Sequence, residues 1–345
     1  MNVFLLSITL GVNAEGLNRA VDMPSLCYEG MESYYSSLPR FSAMNAQGLE
    51  LWYGKLTDST VMITGSISNS AFHNPDKDNY SYITADTIIV PEKVQHSDTT
   101  YTVVQTNPYG VFNNVSSLTT VYLPKTIALI GDTVRYTEMW GYDDCADSDG
   151  DCNFGFVQSS NLQKVHIDAE NPYYVSIDGI VYTKDMKDLV LYPRGRKETK
   201  YNPIEGCQRI QRAAFYGANS LQEVELPNSV KSVGHYAFHG CTCKTIILKD
   251  SVEMIGVHAI GRFVEDLHIG AQLKVVPYHG IRWADIKAIH SYALVPPTVT
   301  MSWTVNQDTK VYVPRNSISA YRNAPVWEKY NDFYPIEPPI VAGVD

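Results

Sequence analysis

The chain has 345 residues, 44% of them hydrophobic and 19% charged, so it can bury a sizeable core and lacks the composition of a disordered chain. A formal net charge of −10 excludes a surface built to track nucleic-acid phosphates. Its apolar runs stop short of the roughly 20 residues a membrane span needs, and 24 tyrosines against 27 lysines and arginines suit a β-rich extracellular protein better than a cytosolic helical enzyme.

The first element is the apolar stretch Val3 to Val12, closed by Val12 and Ala14 at the positions a signal peptidase reads. It predicts a signal peptide over residues 1–14 and hence secretion or cell-surface display, although no Lys or Arg precedes it. The alternative is an apolar first strand of the mature protein. No cysteine follows the run directly, so a lipoprotein anchor is not indicated. Residues 15–48 show no period and form an unassigned extension.

A repeat follows. Ser220-Leu221 to Ala237-Phe238 is one unit, and the next begins 22 residues on, at Cys243. A third starts at Val264 with Leu267 and Ile269, and a degenerate fourth at Trp283 with Ile286. Upstream, Leu118-x-x-Val121-x-Leu123-Pro124 and Leu162-x-x-Val165-x-Ile167 share the same start. Within a unit, Val224 and Leu226 are two apart and face one side of a short strand. Pro227 has no amide hydrogen and ends the ladder. Asn228-Ser229 make a turn, and Val230 and Val233 return inward. Gly234 is expected to take a positive φ at the next corner, and Ala237 and Phe238 fill the space between coils. One unit cannot bury its own apolar face, so neighbours must stack into a parallel-stranded solenoid.

In these units the chain resembles the BspA-like (Treponema-type) leucine-rich repeats of Bacteroides-group and spirochaete surface proteins. The pattern L-x-x-V-x-L-P-x-S-V-x-x-I-G-x-x-A-F is matched closely at Leu221 to Phe238. It is matched in part at Leu118 to Gly131 and at Cys243 to Ile260. Ile88 to Pro91 and Tyr101 to Val104 resemble the stretch before the first repeat. Asn171 to Pro193 resembles the family's hairpin insertion, and Val311 to Trp327 its C-terminal end. The resemblance implies a β-rich leucine-rich-repeat solenoid with a parallel strand ladder, short turns and little helix. A β-rich N-terminal cap would occupy 49–105 and repeats 106–310, with an acidic insertion at 132–152 and a hairpin at 171–193. A C-terminal cap and tail would occupy 311–345. It also implies adhesion, with a host matrix or cell-surface protein, or another bacterial surface protein, as partner. No enzyme activity or cofactor is implied.

Departures from the pattern carry the remaining candidates. The insertion 132–152 holds seven acidic residues against Arg135. Asp147, Asp149 and Asp151 there suggest calcium, a hard cation that takes clustered carboxylates, although the loop does not fit an EF-hand. The alternative is a solvated acidic loop, with Cys145 and Cys152 as a possible disulfide. Cys27, Cys207, Cys241 and Cys243 show no pairing pattern and are expected as buried thiols. His235, His239, Cys241 and Cys243 lie close in sequence, as zinc ligands do, but two of the four hold core or packing positions. No hydrolase elbow, zincin motif, P-loop or dinucleotide fingerprint is present. Trp283 and Trp303 mark a terminal cap. Alternatively they are a stacking platform in a carbohydrate-binding module or glycoside hydrolase, whose two carboxylates leave no local motif. A structural spacer is a third reading. Residues alternating with the core positions must face away from them. They are Thr120 and Tyr122, Lys164 and His166, Glu223 and Glu225, Thr245 and Ile247, Asp266 and His268, and Asp285 and Lys287. Together they are expected to line one continuous strip, either a protein-binding surface or a plain solvated sheet face.

Overall fold

The computed structural model describes residues 37–65, 83–107, 111–112, 115–130, 156, 159–277, 279–281, 286–300 and 305–336. The signal-like segment, Cys27, the acidic insertion with Asp147, Asp149, Asp151, Cys145 and Cys152, and Trp283, Asp285 and Trp303 lie outside these residues.

The N-terminal part is a mixed sheet. Arg40–Met44 pairs antiparallel with Glu50–Lys55, the chain reversing through Gly48 at φ 74°. Thr60–Gly65 continues antiparallel, and then runs parallel to Thr99–Thr106, which carries Lys93–His96 on its far edge. Period-two alternation sends Leu51, Tyr53, Val61, Ile63 and Val103 inward. The sheet starts at Arg40, inside the stretch 15–48 that shows no period. Phe41 is buried and stacks on Tyr53 at 5.6 Å, but one such residue among polar neighbours is too short a pattern to read.

From Thr87 the chain winds into coils. Thr87–Ile89, Thr120–Leu123 and Lys164–Ile167 form a three-stranded parallel sheet. Lys200–Tyr201, Glu223–Glu225, Thr245–Ile247, Asp266–Ile269, Ala288–Ser291, Lys310–Pro314 and Asp332–Ile336 form a second parallel sheet of seven strands. A shorter ladder lies across the core, through Asp188–Leu191, Arg209–Ile210, Ser232–Val233 and Met254–Ile255. Val224, Leu226, Val230 and Val233 all point into the space between the ladders. At the corners Phe215 and Phe238 stack at 4.9 Å, with Tyr192 5.1 Å from Phe215, and Ile260 and Ile281 continue that column.

Three expectations about these coils are corrected. Gly234 does not take a positive φ; Ala213, Tyr236, His258 and His279 do, two residues past the glycine position in each coil. Glycine is needed for close approach instead. A Cβ on Gly234 would lie 2.6 Å from the Arg212 nitrogen, and one on Gly256 2.5 Å from that of His235. Cys241 and Cys243 are not separate thiols. Both side chains turn into the same interior corner and form a disulfide, while Cys207 is buried and free. Burial pushes the Cys207 thiol up to about 11. The last full coil starts at Ile286, not Trp283: Asp266 pairs with Ala288 and His268 with His290. Lys287 therefore precedes the strand, exposed and paired with Glu265 at 2.7 Å, and is not on the outward rung.

The expected continuous strip is also two strips. Tyr174–Ile177 and Ile180–Thr183 form an antiparallel hairpin against Asp188–Leu191, and it occupies the edge of Lys164–Ile167. Val165 N–H donates to Gly179 O at 2.9 Å and Ile167 N–H to the Ser176 hydroxyl. No strand pairing joins Lys164–Ile167 to Lys200–Tyr201. The C-terminal end is closed by the short helix Ile318–Arg322 and by Trp327, whose indole N–H donates to Pro297 O at 2.8 Å. No helix among the described residues is long and apolar enough to cross a membrane.

Candidate functional site

The outward face of the seven-stranded sheet is assembled by register. Parallel pairing without a slip places Lys200, Glu223, Thr245, Asp266, Ala288, Lys310 and Asp332 in one row. Glu225, Ile247, His268, His290, Tyr312 and Tyr334 form the neighbouring row, because side chains two apart share a face. Of the expected residues, the structure brings Glu223, Glu225, Thr245, Ile247, Asp266 and His268 together here. Thr120, Tyr122, Lys164 and His166 sit on the separate three-stranded sheet, where Tyr122 and His166 stack at 4.6 Å. Lys164 stays exposed there, with the hairpin close against its backbone: a Cβ on Gly179 would lie 2.7 Å from its Cα.

The two ends of the face differ in chemistry. At the first end, Glu223 pairs with Lys200 at 2.9 Å and Glu225 pairs with Lys249. At the other end the rings of His268, His290, Tyr312 and Tyr334 stack one on the next. Their centroids are 4.3, 4.5 and 5.3 Å apart, and the first two pairs are within 4° of parallel. A strand spacing of about 4.8 Å in a parallel ladder brings aromatic side chains in register into this contact.

Asp266 lies beside the two imidazoles. Its Oδ1 is 3.2 Å from His290 Nε2 and 3.6 Å from His268 Nε2. The two imidazoles hold its carboxyl well below the usual carboxylate range. His268 Nδ1 is 3.0 Å from the Tyr292 hydroxyl, whose own proton is held more tightly by burial and then by the nearby Asp266. Among the described residues, Asp266, His268 and His290 are the metal-ligating group types that converge, with ligand atoms within 4.8 Å of one another. The zinc set weighed from sequence does not converge in this way: Cys241 and Cys243 are in a disulfide, and His235 Nδ1 accepts from Val257 N–H.

His290, Tyr292, Tyr312 and Tyr334 were missed in the sequence. The signal was there for His290 and Tyr312. Ile286-x-x-Ile289-x-Ser291 has the spacing of a repeat start, and Val311-x-Val313 alternates as the core rungs do. Starting the count at Ile286 turns Ala288 and His290 outward.

The family model for the BspA type leucine rich repeat region matches residues 199–275 in six copies. No curated protein matches the sequence. Among solved structures, the chain is similar to the pneumococcal vaccine antigen PcpA, with 12% identity, a TM-score of 0.45, and coverage of 86% of this chain and 99% of that one. It is similar to a leucine-rich repeat protein from Eubacterium ventriosum, with 14% identity, a TM-score of 0.43 and coverage of 86% and 85%. A leucine-rich repeat protein from Bacteroides ovatus gives 16% identity, a TM-score of 0.37 and coverage of 83% and 75%. The matched copies fall on the first four strands of the seven-stranded face, and the protein is a leucine-rich-repeat solenoid whose repeats over residues 199–275 are of the BspA type.

Proposed function

We propose that the protein is a secreted or cell-surface, non-enzymatic binding protein whose seven-stranded face receives another protein. That partner would be a host matrix or cell-surface protein, or another bacterial surface protein. The observation that carries this reading is the aromatic half of the outward row, His268, His290, Tyr312 and Tyr334. Protein interfaces are enriched in tyrosine at their energetic centre and depleted in lysine and glutamate. The rings are held by the strand ladder, so little side-chain freedom is lost on binding. Stacked on each other, they present edges, hydroxyls and ring nitrogens, which suit peptide groups better than the broad face of a sugar. Glu223 and Glu225 are ion-paired, unlike the pair of working carboxylates a glycosidase needs. The signal-like segment 1–14 and the repeat type support display outside the cytoplasm.

The test is surface binding of the full chain to a panel of matrix proteins, mucins and glycans. Replacing Tyr312 and Tyr334 together by Ala is expected to weaken protein binding about tenfold or more, the scale of hot-spot loss. Replacing Glu223 and Glu225 by Ala is expected to change it by less than about threefold, as for rim charges. Unchanged affinity in the tyrosine pair would overturn the reading. Binding of glycans alone would move the site to Trp283 or Trp303, and no binding would favour a structural spacer.

A further inference from the structure

Two imidazoles and a carboxylate that meet at one point need a reason to do so. Asp266 Oδ1 is closed off from solvent and accepts no hydrogen bond of good geometry, although His290 Nε2 and His268 Nε2 lie 3.2 and 3.6 Å away. A polar atom in that state normally has a partner. Four-coordinate zinc, with bonds of about 2.0–2.1 Å, holds its ligand atoms roughly 3.3 Å apart. Those two separations bracket that distance.

We propose that Asp266, His268 and His290 form a binding site for a divalent first-row transition ion of the zinc, copper and nickel class. The donor set selects that class, since imidazole suits these ions while calcium and magnesium take oxygen ligands. The fold supplies the arrangement. His268 and His290 are ladder partners on adjacent strands, and Asp266 stands two residues before His268 on the same face.

The Tyr292 hydroxyl supplies an outer partner as well. In the tautomer whose Nδ1–H donates to the Tyr292 hydroxyl, 3.0 Å away, the His268 lone pair is on Nε2, the nitrogen that faces Asp266. A ligating histidine commonly has such an outer partner on its other nitrogen. The two rings lie parallel with both Nε2 atoms already beside Asp266 Oδ1, so only a small adjustment of the soft χ2 torsion brings both onto one ion. The side chains of His268 and His290 keep 19% and 25% of their exposure, so an ion can enter and its remaining positions stay open to water. The site holds whichever partner the face takes, because it needs residues of this chain alone.

The experiment is titration of the full chain, first stripped with a chelator, with Zn²⁺ by calorimetry and with Co²⁺ by visible absorption. One equivalent is expected to bind at this site at pH 7.5, with the intense d–d bands of a tetrahedral cobalt site and a rise in Tm. His290→Ala and Asp266→Asn are expected to lose that equivalent, weakening it at least tenfold, while His166→Ala on the other sheet leaves it intact. His290→Gln keeps a polar side chain of similar reach, and melting of each metal-free variant shows that the fold is retained. Binding that persists unchanged in His290→Gln and Asp266→Asn places the ion elsewhere and overturns the proposal. Absence of any cobalt band or heat at millimolar metal overturns it too.

Discussion

At the scale of single residues, backbone distance governs more than side-chain chemistry. Gly234 lies where one coil crosses the backbone of the coil before it, at a distance no Cβ tolerates. Gly234→Ala must push two coils apart, so it is expected to cost about 1–3 kcal/mol, as overpacking of a tight core does. Urea unfolding of the variant measures this, and a midpoint equal to that of the parent would refute the close-approach account. The same residue shows what a sequence conceals. A glycine before a corner reads as a positive φ, and the structure gives that φ to Tyr236 two positions later. Close approach depends on a neighbour 22 residues away, and no local pattern reports it. His290 escaped for a different reason. Large Trp283 attracted the repeat count, and the smaller Ile286 held the true leading position, buried at 1% exposure.

At the scale of elements, the strand ladder was legible because each rung repeats the same two constraints, an apolar pair two apart and a turn beyond it. The face it presents was legible to the same extent, as far as His268. Beyond that point the rungs Lys310–Pro314 and Asp332–Ile336 read as a C-terminal end, though they pair in register with the coils before them. The closing element is held by Trp327, which is almost fully buried, meets Tyr321 edge-on at 5.0 Å and donates to Pro297 O. Trp327→Ala leaves that carbonyl unpaired and opens a large cavity, so a loss of about 3–5 kcal/mol is expected. Because the last rungs carry Tyr312 and Tyr334, this variant should also loosen the aromatic end of the face. Faster amide exchange at Val311 and Val313 than at Val224 would show it, and uniform exchange would count against a separate closing element.

At the scale of the whole molecule, two apolar cores meet at the hairpin. Val181, Val190 and Leu191 point into the N-terminal core, while Ile180, Tyr182 and Leu189 point into the core of the repeats. Alternation along Ile180–Thr183, with a bulge at Val190 in the strand beside it, lets these strands serve both. Arg196 pins the joint. Its buried guanidinium donates to Gln163 O and to the Asp178 backbone and carboxylate, and pairs with Glu198. The guanidinium holds the Asp178 carboxyl below its ordinary range. Arg196→Ala removes a buried guanidinium whose carboxylate partners are largely exposed, and a loss of about 1–2 kcal/mol is expected, the lower end for charged hydrogen bonds. Calorimetry should then show the transition broaden or split, as nearest-neighbour coupling in a solenoid weakens at one interface; a single sharp transition at a lower temperature would mean that packing alone couples the cores.

The absent strand pairing beside Lys164–Ile167 has a mechanical consequence. Along the repeats, tension would be shared by successive rungs of backbone hydrogen bonds, which yield together. At the hairpin it falls on side-chain packing, one guanidinium and a few isolated bonds. Pulled between its ends, the protein should part there first and extend in a defined step, with the seven-stranded face still intact on one fragment.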